Sequence, residues 1–83
     1  MSDATFMLFI AGANNPKSIN AIKNLKREFR NKDYNLMVID ILTNPRVAES
    51  VGIVATPLLM RTNPDPVERY IGDFSKPGLN LCI

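Results

Sequence analysis

The 83-residue sequence predicts a single α/β domain in which a parallel β-α-β unit is followed by a short helix and an antiparallel hairpin. Three observations carry that reading. Two short apolar runs, residues 5–10 and 36–41, flank a segment with helical periodicity. A proline-dense turn, Asn63-Pro64-Asp65-Pro66, separates Leu58-Leu59-Met60 from the alternating stretch Val67-Glu68-Arg69-Tyr70-Ile71. The length allows one small core and no second domain, so residues 1–83 are read as one unit.

The first run, Thr5-Phe6-Met7-Leu8-Phe9-Ile10, is apolar on both faces and stops at Ala11-Gly12. A continuous run that short suits a buried strand in the middle of a sheet covered on two sides. Asn14-Asn15-Pro16 then marks a helix start, with Asn15 at the N-cap and Pro16 in the first turn. Ile19, Ile22, Leu25 and Phe29 follow at spacings of three, three and four and form an apolar stripe, with the basic residues mostly away from it. The turn formers Asn31 and Asp33 place the end of the helix near residues 31–33. Leu36-Met37-Val38-Ile39-Asp40-Ile41 reads as a second buried strand. Strand, helix and strand over this length predict a right-handed crossover between parallel strands.

Asn44-Pro45 repeats the cap-and-proline signal. Val47, Ala48 and Val51 give a short apolar face, and Gly52 stands where a left-handed residue ends a helix. A helix of about two turns needs tertiary packing to persist. Residues 58–62 and 67–71 form the predicted hairpin, which ends at Gly72-Asp73. The tail carries weaker signals. It closes on Leu81-Cys82-Ile83, an apolar end that reads as a strand, a subunit contact or a truncation.

Composition removes several classes of function. Hydrophobic residues make up 46% and charged residues 22%, with a mean hydropathy of −0.02, which excludes disordered and collagen-like chains. No apolar run approaches the ~20 residues of a membrane helix. Met1-Ser2-Asp3 carries no basic leader, so a cytoplasmic chain without a membrane partner is expected. With no histidine and one cysteine, Cys82, there is neither a CxxC pair nor a donor set for zinc or haem. No cofactor or metal is expected. A serine or cysteine nucleophile would lack its usual histidine base, so no catalytic set is expected either. Charge is uneven. Residues 1–32 hold six basic and two acidic side chains, and the rest hold four basic and six acidic. The first helix therefore offers an acidic partner a docking face, or is simply well solvated. An isoelectric point near 8.9, with no aromatic residue among the basic ones, speaks against nucleic acid.

The order β-α-β-α-β-β is that of a thioredoxin-like domain, and Thr56-Pro57 stands where that fold places its cis-proline. The loop where such a domain carries its redox cysteines reads Ala11-Gly12-Ala13-Asn14-Asn15-Pro16 and has no thiol. Thiol–disulfide exchange needs a thiolate, so binding is the inference that remains for this scaffold.

Several segments together resemble the KaiB family of small circadian clock proteins. They are Leu8-Phe9-Ile10-Ala11-Gly12 and the cap after it, then Val38-Ile39-Asp40-Ile41-Leu42-Thr43-Asn44-Pro45, and Ala48-Glu49. Ile53-Val54-Ala55-Thr56-Pro57, Pro64-Asp65-Pro66-Val67-Glu68-Arg69 and Ile71-Gly72-Asp73-Phe74-Ser75 follow in the same order. The N-terminal sensor domain of clock histidine kinases is a less close likeness. The resemblance departs at Met37, where the family often has a basic residue, and at residues 76–83, which are atypical and read as a truncated C-terminal segment.

The resemblance implies a non-enzymatic adaptor that docks on a KaiC-like ATPase ring, with a KaiA-like protein or a sensor histidine kinase as further partners. It also implies self-association as a dimer or tetramer, and two alternative folds that share residues 1–42. One is a thioredoxin-like monomer that docks on the ring. The other is the oligomeric ground state, in which the half from about Thr43 onward is rearranged. The alternatives are a sensor module of a clock-type histidine kinase and a degenerate thioredoxin-like oxidoreductase.

The resemblance marks Lys23, Arg61 and Arg69 as basic positions of a partner surface, each of which also reads as an ordinary solvated charge. Asn35 and Met37 join that surface if the second strand lies at an edge. Otherwise Met37 fills the core. Asp73 is a contact or a turn former, and Asp40 a contact or a cap for the turn that follows it. Pro57 and Gly72 are assigned structural roles.

Overall fold

A computed structural model describes residues 4–30, 32–53, 55–63 and 65–72. β1 (Ala4–Ile10) takes the centre of the sheet because both of its faces are apolar. It pairs with β2 (Tyr34–Asp40) in parallel, from Ala4 opposite Tyr34 to Ile10 opposite Asp40. On its other side it pairs antiparallel with β3 (Leu58–Asn63), which in turn pairs antiparallel with β4 (Glu68–Ile71). The strand order is β2-β1-β3-β4. This is the thioredoxin-like arrangement of the two that the family resemblance implied. The Thr56-Pro57 bond before β3 is cis, and Pro57 is buried.

α1 (Pro16–Glu28) connects the parallel pair. Its start is as predicted: the Asn15 side chain accepts from the Lys17 amide at 2.9 Å, and Pro16 opens the first turn. Two features differ from the sequence reading. The helix ends at Glu28 with Phe29 as its C-cap, short of residues 31–33. The buried stripe is Ser18, Ala21, Leu25 and Phe29, with Ile22 half-buried and Ile19 turned to solvent. Ser18 and Ala21 share the buried side of the helix with Leu25 and Phe29, and the larger Ile19 lies outside it.

The core has two parts, one on each side of the sheet. Phe6, Leu8, Ile10 and Leu59 pack against Ala21, Leu25 and Phe29 of α1. Phe29 is the hub, with its ring centroid 4.8 Å from that of Phe6 and 4.8 Å from that of Tyr34. On the opposite face Phe9, Leu58 and Met60 are buried, flanked by Met7, Ile39, Ile41, Val47, Val51 and Ile53. Val47 and Val51 belong to α2 (Pro45–Val51). As expected, this short helix is held by packing, and it ends at Gly52, whose φ of 76° is the left-handed region that favours glycine. Its predicted cap is not made. The Asn44 amide instead donates to the Asp40 carbonyl and the Thr43 hydroxyl, each at 3.0 Å.

The second strand is not buried as its apolar run suggested. Among the described residues only β1 pairs with it, and Met37 and Val38 are 59% and 44% exposed. An apolar run can reflect an edge as well as a centre, and neighbours decide which. Gly72, with φ at 130°, donates its amide to the Pro57 carbonyl at 3.1 Å. The expectations for Asp73, Cys82 and the atypical segment 76–83 lie outside the described residues.

Candidate protein-interaction surface

Asp40 sits where both parallel strands end. Its Oδ1 accepts from the Gly12 amide and from the Leu42 amide, both at 3.0 Å. One carboxylate therefore holds the exit loops of β1 and β2 together, and of its two readings the structural one describes it. The loop it braces, residues 11–15, is the one that carries no thiol. No cluster of histidine, cysteine or acidic side chains able to hold a metal ion exists among the described residues. No helix among them is long and apolar enough to cross a membrane.

The predicted contact residues fall on three separate parts of the surface. Lys23 is exposed on α1. Asn35 and Met37 are exposed on β2, two residues apart and so on one face of the strand. Arg69 is exposed on β4. Register joins two of these sites: Met37 lies opposite Met7, Met7 opposite Met60, and Met60 opposite Arg69. Met37 and Arg69 thus end a single cross-strand row on the face that α2 partly covers, about 14 Å apart at the usual strand spacing. Lys23 belongs to the helix layer on the other face.

Arg61 differs from both of its sequence readings. It is only 5% exposed. It lies opposite Glu68 on β4 and its Nη2 is 3.6 Å from the Glu68 carboxylate. The same nitrogen donates to the Pro66 carbonyl at 3.3 Å, while Nε has no hydrogen-bond partner. The Tyr70 hydroxyl donates to the other Glu68 oxygen. Arg61 is buried because Phe6 lies opposite it on the inner side and the hairpin turn folds over its outer end. Arg69 is also engaged: its Nη2 donates to the Val51 carbonyl at 2.8 Å.

Sequence reasoning passed over four exposed apolar side chains: Val38, Leu42, Val67 and Ile71, the last two at 53% and 61%. Alternation along β4 placed Ile71 on the same face as Arg69, which was the available signal. Nothing in the pattern of the β2 run distinguished Val38 from a core residue.

Comparison with known proteins places this geometry in context. In solved structures the fold resembles the N-terminal domain of Synechococcus elongatus SasA, with a TM-score of 0.72 and 21% identity over 88% of this chain and 71% of that one. It also resembles chloroplastic thioredoxin z, with a TM-score of 0.68 and 20% identity over 84% of this chain and 66% of that one. Sequence relatives are much nearer. The circadian clock oscillator protein KaiB of Thermosynechococcus vestitus is 47% identical over 72 residues, covering 82% of this chain and 65% of the relative's length. The protein of that name from Synechococcus elongatus is 49% identical over 72 residues, covering 82% of this chain and 69% of its own. Residues 7–83 match the KaiB domain model, and the chain belongs to the KaiB family of circadian clock proteins.

Proposed function

We propose that this chain is a non-enzymatic, cytoplasmic KaiB-type adaptor that docks on a KaiC-like ATPase ring and modulates circadian or stress-related signalling. The observation that carries the reading is a thioredoxin-like scaffold of KaiB sequence whose β1–α1 loop lacks the sulfur chemistry of a redox enzyme. What remains is a sheet with polar and apolar side chains displayed on its outer described strands and a basic helix on one face. Lys23, Asn35, Met37, Arg69 and Asp73 are the contact residues of this reading, while Arg61 acts from inside by shaping the hairpin that displays Arg69. A self-associated dimer or tetramer is the resting form, and its dissociation gates docking. A KaiA-like protein or a sensor histidine kinase is a further partner in the same assembly. The half after Thr43 suits a change of topology, because its elements are short and are interrupted by Pro45, Gly52, Pro57, Pro66 and Gly72.

Co-elution of the full chain with a purified KaiC-like ATPase, with and without ATP, tests the reading. A nucleotide-dependent complex that Arg69→Glu abolishes while the chain stays folded by circular dichroism supports it. Absence of any complex at high micromolar concentration removes it. A second reading, a sensor module of a clock-type kinase, is favoured by the fold shared with the SasA N-terminal domain. Occurrence of the same chain fused to a kinase domain would favour that reading over the first.

A further inference from the structure

Leu42 is 68% exposed, more than any other large apolar side chain among the described residues. An exposed leucine alone is ordinary. Here the backbone that carries it is fixed from several directions. Asp40 Oδ1 accepts from the Leu42 amide and, across the loop, from the Gly12 amide, both at 3.0 Å. The Asp40 carbonyl accepts from the Thr43 amide at 3.2 Å, the Thr43 hydroxyl at 3.1 Å and the Asn44 side-chain amide at 3.0 Å. The Ile41 amide donates to the Ile10 carbonyl at 2.8 Å. These bonds tie residues 40–44 to one another and to the end of β1. Leu42 leans over Gly12, its Cδ1 3.4 Å from where a Cβ on that residue would stand, and most of its surface stays in solvent.

The end of the sheet around it is uncharged. β1 and β2 finish there and β3 begins there, with Phe9 opposite Leu58. In a chain that is 22% charged, residues 10–16, 41–45 and 55–57 include no charged side chain. The charge that stands among them, the Asp40 carboxylate, is taken up by the two amides.

We propose that Leu42 is the apolar anchor by which this chain seats on its ATPase partner, entering an uncharged pocket deep enough for one branched aliphatic side chain. The proposal rests on the adaptor reading and names a specificity-determining contact within it. Interface cores are depleted of charge and rimmed by polar groups. Leu42 has that setting, with Asn15, Thr43 and Asn44 exposed beside it. A loop already fixed in the free chain loses little freedom on binding, so burial of the side chain is converted to affinity with little ordering cost. Charge argues against other occupants. An acidic protein, a nucleic acid or an anionic lipid surface is drawn to cations, and the cluster of exposed cations lies elsewhere, at Lys23, Lys26, Arg27 and Arg30. A single leucine is also too little apolar surface to hold a membrane.

Fluorescence anisotropy of the labelled full chain, titrated with a purified KaiC-like ATPase and ATP, tests it. Leu42→Ala should weaken docking about tenfold or more, and Leu42→Lys should abolish it. Leu42→Met should keep most of it, because the pocket is filled again. All three should retain the circular dichroism and urea midpoint of the parent chain, since the side chain is exposed. Val67→Ala removes an equally apolar, 53% exposed side chain at the opposite end of the sheet and should leave docking unaltered. Docking that Leu42→Lys leaves unchanged overturns the inference, as does an equal loss from Val67→Ala. Sedimentation velocity on the chain alone covers the other occupants: a shift caused by Leu42→Lys, with docking intact, assigns the side chain to a second copy and overturns it too. So does flotation with phosphatidylserine vesicles that Leu42→Ala abolishes while ring docking persists. A ring complex indifferent to Leu42 removes this inference and leaves the adaptor reading standing, whereas absence of any complex with the parent chain removes both.

Discussion

Arg69 and Val51 are joined by a hydrogen bond of 2.8 Å from the guanidinium Nη2 to the backbone carbonyl, and this bond ties the outermost described strand of the hairpin to the end of α2. The carbonyl is one of those that a helix terminus leaves without an intrahelical partner, and a cation there also complements the helix dipole. α2 spans seven residues, too few to be stable alone, so its position depends on such contacts and on Val47 and Val51 beneath it.

Arg69→Gln should therefore loosen α2 locally while leaving the sheet in place. The bond is exposed, so the global cost is at most about 1 kcal/mol. Hydrogen exchange is the sensitive measurement. The amides of Gly52 and Ile53, which both donate to the Ala48 carbonyl, should lose protection several-fold, while those of β1 keep theirs.

Phe29 is buried on the α1 side, packed between Phe6 and Tyr34. Phe29→Ala should cost about 3–5 kcal/mol through lost burial and the cavity left behind. A domain of this size has only about 5–15 kcal/mol in total, and usually the lower part of that range. Urea denaturation should show a large drop in midpoint with little change in slope.

The Arg61–Glu68 pair should respond asymmetrically. Glu68→Ala leaves a buried guanidinium with its Nε already unpartnered, and should destabilise by about 1–2 kcal/mol, a value reduced because the Glu68 side chain is 44% exposed. Arg61→Met fills similar space without a buried charge and should be neutral or stabilising. A double-mutant cycle read by thermal melting gives the coupling. Equal losses from both single variants would contradict this account.

Asp40→Ala removes the acceptor shared by the Gly12 and Leu42 amides and should destabilise by about 1–3 kcal/mol. Asp40→Asn keeps a side-chain oxygen in place and should lose less than half as much. Chemical-shift changes confined to the exits of β1 and β2 would confirm the site of the effect.

Much of this architecture was legible in short stretches of sequence. Asn15-Pro16 announced the start of α1, Gly52 the end of α2, and the proline-rich turn the hairpin, because capping and turn chemistry act within a few residues. The contact surface was less legible. Arg61 read as a solvated charge because alternation along β3 says which face a side chain takes, but not whether a turn will fold over it. Asp40 was one of two readings until its carboxylate was seen to reach Gly12, 28 positions away.

Read alone, then, the chain declares its elements, their order and its missing thiol chemistry. Tertiary pairing made the rest of the decisions. It put Ser18 and Ala21 on the buried side of α1 in place of Ile19, left β2 at an edge of the described sheet although its run resembles that of a central strand, and buried Arg61. The reason is range. Periodicity and caps are set by neighbours within a turn or two of chain, whereas exposure at an edge depends on which distant strands are present to pair, and no local pattern records an absent neighbour.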